Sequence, residues 1–154
     1  MNLNGTYAFA GPRRAVWELL QDPVVLANAL PGTERLTLAA DDRYEGVMKV
    51  SVGPVTAARF DVTVTLRDRA AFERLALDID ARGAVGYTRG TADIELRDGA
   101  EGGTIMQYAS DVQVGGRIAA VGQRLLETVA RTMMRQALDA LAAALRARVN
   151  APGR

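Results

Sequence analysis

The sequence of 154 residues contains no cysteine and no histidine. The absence of cysteine excludes disulfides and thiol nucleophiles, and the absence of histidine removes the side chain most used for acid–base catalysis and zinc coordination. No segment approaches the roughly 20 consecutive apolar residues of a membrane-spanning helix, and the N-terminus lacks the basic and apolar regions of a signal peptide. We therefore expect a soluble, cytoplasmic protein with no metal site.

A strong excess of charge is also missing. The chain has 19 Lys and Arg against 18 Asp and Glu, and Lys49 is its only lysine. A net charge of +1 argues against a nucleic-acid-binding protein that works by neutralising phosphates. Because 49% of the residues are apolar, the chain can bury one core, which predicts a single domain over residues 1–154 with a disordered tail from about residue 149.

Alternating apolar and polar residues predict antiparallel strands along most of the chain. Two short helices, from Pro12 to Gln21 and from Pro23 to Ala29, interrupt this pattern after the first strand, with Asp22 as the N-cap of the second helix. The predicted strands are Leu3–Phe9, Tyr44–Val52, Phe60–Leu66, Leu75–Ile79, Ala92–Leu96 and Met106–Val114.

The C-terminal third predicts one long helix from Gly115 to Leu145, because it contains no proline and its apolar residues recur at steps of three and four. Such a helix reaches roughly 45 Å, at about 1.5 Å per residue, and can cross a whole sheet. Gly122 would lie inside it at a cost of about 1 kcal/mol relative to alanine. A strand that approaches closely, or space left for a ligand, would explain this glycine.

This order of elements predicts an α+β helix-grip fold, in which a curved antiparallel sheet of about six or seven strands wraps around the long C-terminal helix. Such a wrap usually leaves an apolar cavity between sheet and helix, which selects an apolar or amphipathic ligand. We expect Leu30, with Leu26 and Val55, to lie at its entrance. The residues expected to line one continuous cavity are Met48, Phe60, Leu77, Ile94, Met106, Tyr108, Val121 and Leu125.

Three segments carry a narrower resemblance: DPVVLANALPG (residues 22–32), DRYEGVMKVSVGPV (42–55) and YASDVQVGGRIAAVGQRLLETVA (108–130). They resemble the carbon monoxide dehydrogenase G-subunit family, a branch of the superfamily that contains START lipid-transfer domains and Bet v 1 allergens. The resemblance implies an accessory protein that holds a quinone or lipid non-covalently. It also implies a molybdenum-containing dehydrogenase as partner and peripheral contact with the inner face of the membrane.

Two other functions remain open: an enzyme of the polyketide cyclase or hydrolase type that acts on an aromatic ligand, and an assembly or membrane-recruitment adaptor without a ligand. Catalysis by carboxylates usually requires their burial, whereas Asp61 and Glu95 fall on the polar side of their strands. Arg117, Arg124 and Arg131 recur every seven residues along the predicted helix. They form either a solvated face or a docking stripe for an acidic partner or lipid phosphates.

Overall fold

The computed structural model describes residues 1–149 as an antiparallel sheet of seven strands, two short helices and one long helix. The strand order across the sheet is β1-β7-β6-β5-β4-β3-β2. The strands are β1 Asn2–Phe9, β2 Thr33–Ala40, β3 Arg43–Val52, β4 Val55–Ala70, β5 Arg74–Gly83, β6 Gly86–Asp98 and β7 Thr104–Gly115. The helices are α1 Arg13–Leu19, α2 Pro23–Ala29 and α3 Gln123–Val149, with 3-10 turns at Ala100–Gly102 and Arg117–Val121.

This architecture confirms the predicted α+β helix-grip fold, with two short helices after the first strand and a long helix at the end of the described chain. The predicted tail lies outside the described residues, and the single domain over 1–154 stays a prediction. Sequence reasoning missed β2, which forms an edge of the sheet. Its pattern is weak because Leu36 is half-buried whereas Leu38 is half-exposed.

The prediction of one continuous helix from Gly115 was wrong at its N-terminal end. A 3-10 turn covers Arg117–Val121, and Gly122 then adopts φ 100° and ψ 146°, a conformation that only glycine adopts readily. No other atom approaches the position of a Cβ on this glycine within 4 Å. Gly122 is therefore required by its backbone angles, and the close approach of a strand does not explain it.

Helix α2 begins as the sequence predicts. The Asp22 carboxylate accepts hydrogen bonds from the backbone N–H groups of Val24 and Val25 at 3.0 and 3.3 Å, and Pro23 occupies the first helical position. Arg148 near the end of α3 donates to the same carboxylate. Burial would raise the pKa of Asp22, but these hydrogen bonds together hold it below its usual value. The ion pair thus ties the end of α3 to the start of α2.

Apolar side chains between the sheet and α3 form two clusters. The first, called here the packed cluster, lies beneath α1, α2 and the C-terminal half of α3, where Val16, Leu19 and Leu145 are fully buried. The second, called here the cavity cluster, centres on Val52, Phe60 and Ile118 beneath the N-terminal half of α3. Only the packed cluster is covered by all three helices.

Candidate ligand-binding site

A cavity of about 210 Å³ lies between the sheet and the N-terminal half of α3. Thr88 is the single polar residue among those that line it, and no charged side chain borders it. An apolar cavity bordered by no charged side chain favours an apolar ligand or the apolar part of an amphipathic one. Its lining consists of Met1, Leu3, Met48, Val50, Val52, Phe60, Val62, Thr88, Val112, Val114, Ile118, Leu126, Val129, Ala130 and Met133.

Strand alternation places most of these side chains on the concave face of the sheet. Met48 and Val50 are two residues apart on β3, and Met48 pairs across the ladder with Phe60 of β4. On α3, Leu126, Val129 and Met133 are spaced by three and four residues, so they share one face of the helix. The sheet therefore forms the floor of the cavity, and α3 forms its roof.

The 3-10 turn closes one end of this cavity. Ile118 is buried and belongs to the cavity cluster, while Gly116 and Gly122 on either side of the turn have positive φ angles of 82° and 100°. The Ile118 backbone N–H donates to the carbonyl of Val85 at 2.7 Å. This hydrogen bond holds the turn against the loop between β5 and β6.

The residues predicted to line one continuous cavity are divided between the cavity cluster and the packed cluster. Met48 and Phe60 border the apolar cavity, and Val121 and Leu125 pack against the cavity cluster without bordering the void. The remaining predicted lining residues lie elsewhere: Leu77, Ile94, Met106 and Tyr108 belong to the packed cluster or lie against it. The reason is that side chains of α1, α2 and the C-terminal half of α3 pack against that part of the concave face.

The predicted entrance residues are also separated. Leu26 packs against the packed cluster and Val55 against the cavity cluster. Leu30 is half-buried at the C-cap of α2 and does not line the cavity. Val112 and Val114 line the cavity but are missing from the predicted set. Their alternation with polar residues on β7 could have identified them from the sequence.

A second, polar groove of about 410 Å³ runs between β1 and α3. At one side the Tyr7 hydroxyl donates a hydrogen bond to the Asp139 carboxylate at 2.7 Å. Burial raises the pKa of Tyr7 to about 12, with the hydrogen bond to Asp139 and its negative charge acting in the same direction. Leu3 and Tyr108 also line this groove, so Leu3 borders both hollows.

The apolar cavity contains none of the groups that acid–base catalysis uses. Asp61 and Glu95, the carboxylates that would have favoured an enzyme, are both exposed. The buried Thr104 and Ser110 hydroxyl groups both donate to backbone carbonyls, at 2.7 Å each. Within residues 1–149, no group of three or more acidic side chains could hold a metal ion.

Comparison with known families agrees with this geometry. The family model described as the carbon monoxide dehydrogenase G-subunit (CoxG) matches residues 5–146. The chain belongs to this family. The resemblance carried by the three sequence segments is thereby confirmed. Among the helices of residues 1–149, none combines the length and the apolar character needed to cross a membrane.

Solved structures share this fold. A conserved protein from Geobacillus kaustophilus is 25% identical, with 95% of each chain covered and a TM-score of 0.89. A START superfamily protein from Mycobacterium smegmatis is 12% identical over 94% of this chain and 97% of its own, with a TM-score of 0.69. The Zhui aromatase/cyclase from Streptomyces sp. R1128 is 16% identical over 99% and 98%, with a TM-score of 0.68. No curated protein matches the sequence.

Proposed function

We propose that this CoxG family member binds the ring of a hydrophobic molecule of the quinone or lipid class in the apolar cavity beneath α3. In this role it serves as an accessory or carrier protein for a molybdenum-containing dehydrogenase. The observation that carries the proposal is the lining of the cavity, which is apolar except for Thr88. The family supplies the kind of partner, since its description names carbon monoxide dehydrogenase.

The size of the cavity limits what it can hold. An apolar cavity of roughly 150 Å³ is large enough to bind benzene, so about 210 Å³ accommodates a single substituted ring. A long isoprenoid or acyl tail exceeds this volume. We therefore propose that the ring occupies the cavity and that the tail either leaves it or displaces the 3-10 turn that carries Ile118.

The two other functions have less support. The fold is shared with an aromatase/cyclase, but the cavity of this chain is lined by no carboxylate, tyrosine or arginine that could move a proton. An adaptor without a ligand would have no need of an apolar void, since close packing of the same side chains would stabilise the fold further. We therefore favour the carrier over both.

Native mass spectrometry of the protein purified from its own host tests the proposal directly. We expect a co-purified quinone or lipid that is absent from a Val129→Phe variant, because Val129 lines the cavity and a phenyl ring fills part of it. Val24→Phe is the matched control, since Val24 is 68% exposed on α2. This control should retain the ligand.

Each alternative gives a different result. Wild-type protein that carries no hydrophobic molecule, and gains none from quinone-containing vesicles, would support the adaptor. A bound aromatic compound that the purified protein converts into a product would support the enzyme. Equal ligand retention by both phenylalanine variants would place the ligand outside this cavity.

A further inference from the structure

The polar groove between β1 and α3 contains an unusual set of side chains for a solvated surface. Arg131 and Arg135 are one helical turn apart on α3 and both line the groove. Neither guanidinium forms an ion pair or a hydrogen bond with another residue of the described chain, 1–149. Two like charges at this spacing repel each other and destabilise a helix. A bound anion would offset this repulsion between the two guanidinium groups.

The nearest carboxylate on the helix does not neutralise these arginines. Asp139 follows Arg135 by four residues, a spacing that commonly gives an ion pair on a helix. Here the Asp139 carboxylate instead accepts the 2.7 Å hydrogen bond from the Tyr7 hydroxyl. Arg131 and Arg135 therefore line the groove without a carboxylate partner of their own within residues 1–149.

The sheet side of the groove offers neutral donors. Tyr108 lies across Gly5 on β1, where a Cβ would meet the tyrosine oxygen at 2.6 Å. The Asn4 side-chain oxygen accepts from the backbone N–H of Ser110 at 3.3 Å, which leaves its NH2 group as a donor. Donors therefore face the groove from both the helix and the sheet.

We propose that this groove is a binding site for a phosphate group, held by Arg131 and Arg135 from α3 and by Tyr108 from the sheet. A phosphate fits better than a carboxylate because donors on two opposite walls can reach oxygens that point in different directions, whereas a carboxylate presents two oxygens in one plane. The phosphate belongs either to a soluble phosphate ester or to a phospholipid head group. Buried Leu3 separates the groove from the apolar cavity, so this site goes beyond the proposed function and does not depend on it.

Amide chemical shifts of the full chain, followed by NMR during titration with inorganic phosphate at constant ionic strength, test the site. We expect saturable shifts confined to β1, β7 and the middle of α3. Arg131→Gln and Arg135→Gln should each weaken binding by about tenfold or more, the factor that corresponds to a charge-assisted hydrogen bond. Both side chains are exposed, so these substitutions leave the core intact.

Arg124→Gln is the matched control. It removes the same charge from an exposed position on the same helix, and Arg124 lies outside the groove. This variant should bind phosphate as the wild type does. Tyr108→Phe changes no charge and should weaken binding by a factor of about three to ten. That loss cannot be produced by a general change in electrostatic attraction.

Phosphatidylcholine vesicles with and without phosphatidylglycerol identify the source of the phosphate. Saturable binding of free phosphate with the variant pattern above supports a soluble ester. Binding only to the vesicles that contain phosphatidylglycerol, lost in Arg131→Gln but kept in Arg124→Gln, supports a lipid head group. Absence of binding to both probes, or an equal loss in Arg124→Gln, would overturn the proposal.

Discussion

Tyr7 has a hydroxyl group whose pKa lies well above that of a free tyrosine. Its hydroxyl is directed at the Asp139 carboxylate, and ionisation would place two negative charges beside each other. Burial, the hydrogen bond and the charge of Asp139 together raise its pKa to about 12. The phenol therefore stays protonated at neutral pH and keeps its hydrogen bond to Asp139.

Spectrophotometric titration should resolve this group from the other tyrosines. We expect the difference between wild type and Tyr7→Phe to report a pKa of about 12. Asp139→Asn should lower that pKa, because it removes the negative charge, but burial should keep it above the usual 10. The matched control is Asp111→Asn, an exposed carboxylate on β7, which should leave the pKa unchanged.

The same group makes stability depend on pH in the alkaline range. Because the folded-state pKa is raised above the unfolded value, its contribution is fully present below about pH 10 and is lost as the pH rises towards 12. The free energy of unfolding should therefore fall across this window in wild type. A Tyr7→Phe variant with an equally steep fall would show that other groups are responsible.

At the scale of single elements, the start of α3 depends on one backbone conformation. The Gly122 carbonyl accepts the hydrogen bond of the Leu126 N–H at 3.1 Å, so the helix begins directly after this glycine. The Gly122 N–H donates to the Ala119 carbonyl and closes the preceding 3-10 turn. Gly122 thus sets the angle between the turn that carries Ile118 and the helix that forms the roof of the cavity.

Gly122→Ala should lower the free energy of unfolding by about 1–3 kcal/mol, because an L-residue at φ 100° and ψ 146° is strained. Gly102→Ala is the control, since Gly102 also faces open space but has φ 76°, nearer to the left-handed helical region. Gly102→Ala should lower the free energy of unfolding by about 1 kcal/mol. Urea denaturation measures both values. Unchanged stability with a gain of helical circular dichroism in Gly122→Ala would show that residues 117–121 can join α3.

Sequence reasoning succeeded where one physical effect dominates a segment. The start of α2 was predictable because Asp22 and Pro23 satisfy the geometric demands of a helix N-terminus. The break at Gly122 was not, because the apolar spacing of Ile118, Val121 and Leu125 is the same in a continuous helix and in a 3-10 turn followed by a helix. Periodicity reports which side chains face the core and does not report the backbone angles between them.

The candidate site was predictable only in part for a related reason. Alternation correctly directed Met48 and Phe60 to the concave face, and it directed Leu77 and Ile94 there too. Whether such a residue borders a void or a packed helix depends on which part of the sheet α1 and α2 cover. That placement is tertiary, and no local pattern in the sequence encodes it.

At the scale of the whole molecule, the core is closely packed beneath the C-terminal half of α3 and contains a cavity beneath its N-terminal half. Leu145 in the C-terminal half of α3 is fully buried, whereas Met133 in the N-terminal half borders the cavity and is half-buried. A side chain beside an existing void has already lost part of its contacts. The two halves of one helix should therefore contribute unequally to stability.

Alanine substitutions measure this difference. Leu145→Ala should lower the free energy of unfolding by about 2–5 kcal/mol, the range for a buried leucine. Met133→Ala should cost roughly 1 kcal/mol, because Met133 is only half-buried and has fewer contacts to lose. Urea denaturation of the ligand-free protein gives both values, with Val24→Ala at an exposed position of α2 as the control. Equal losses of unfolding free energy in Leu145→Ala and Met133→Ala would contradict a cavity beneath the N-terminal half of α3.

The sheet is not closed into a barrel: β1 and β2 are its two edges, and no ladder among residues 1–149 joins them. In a closed barrel the strand number and shear fix the interior width. In this open sheet no such constraint fixes the distance between β1 and β2. The width of the cavity is set instead by the packing of α3 and of the 3-10 turn against the concave face, so the turn that carries Ile118 can be displaced without breaking a hydrogen bond between strands.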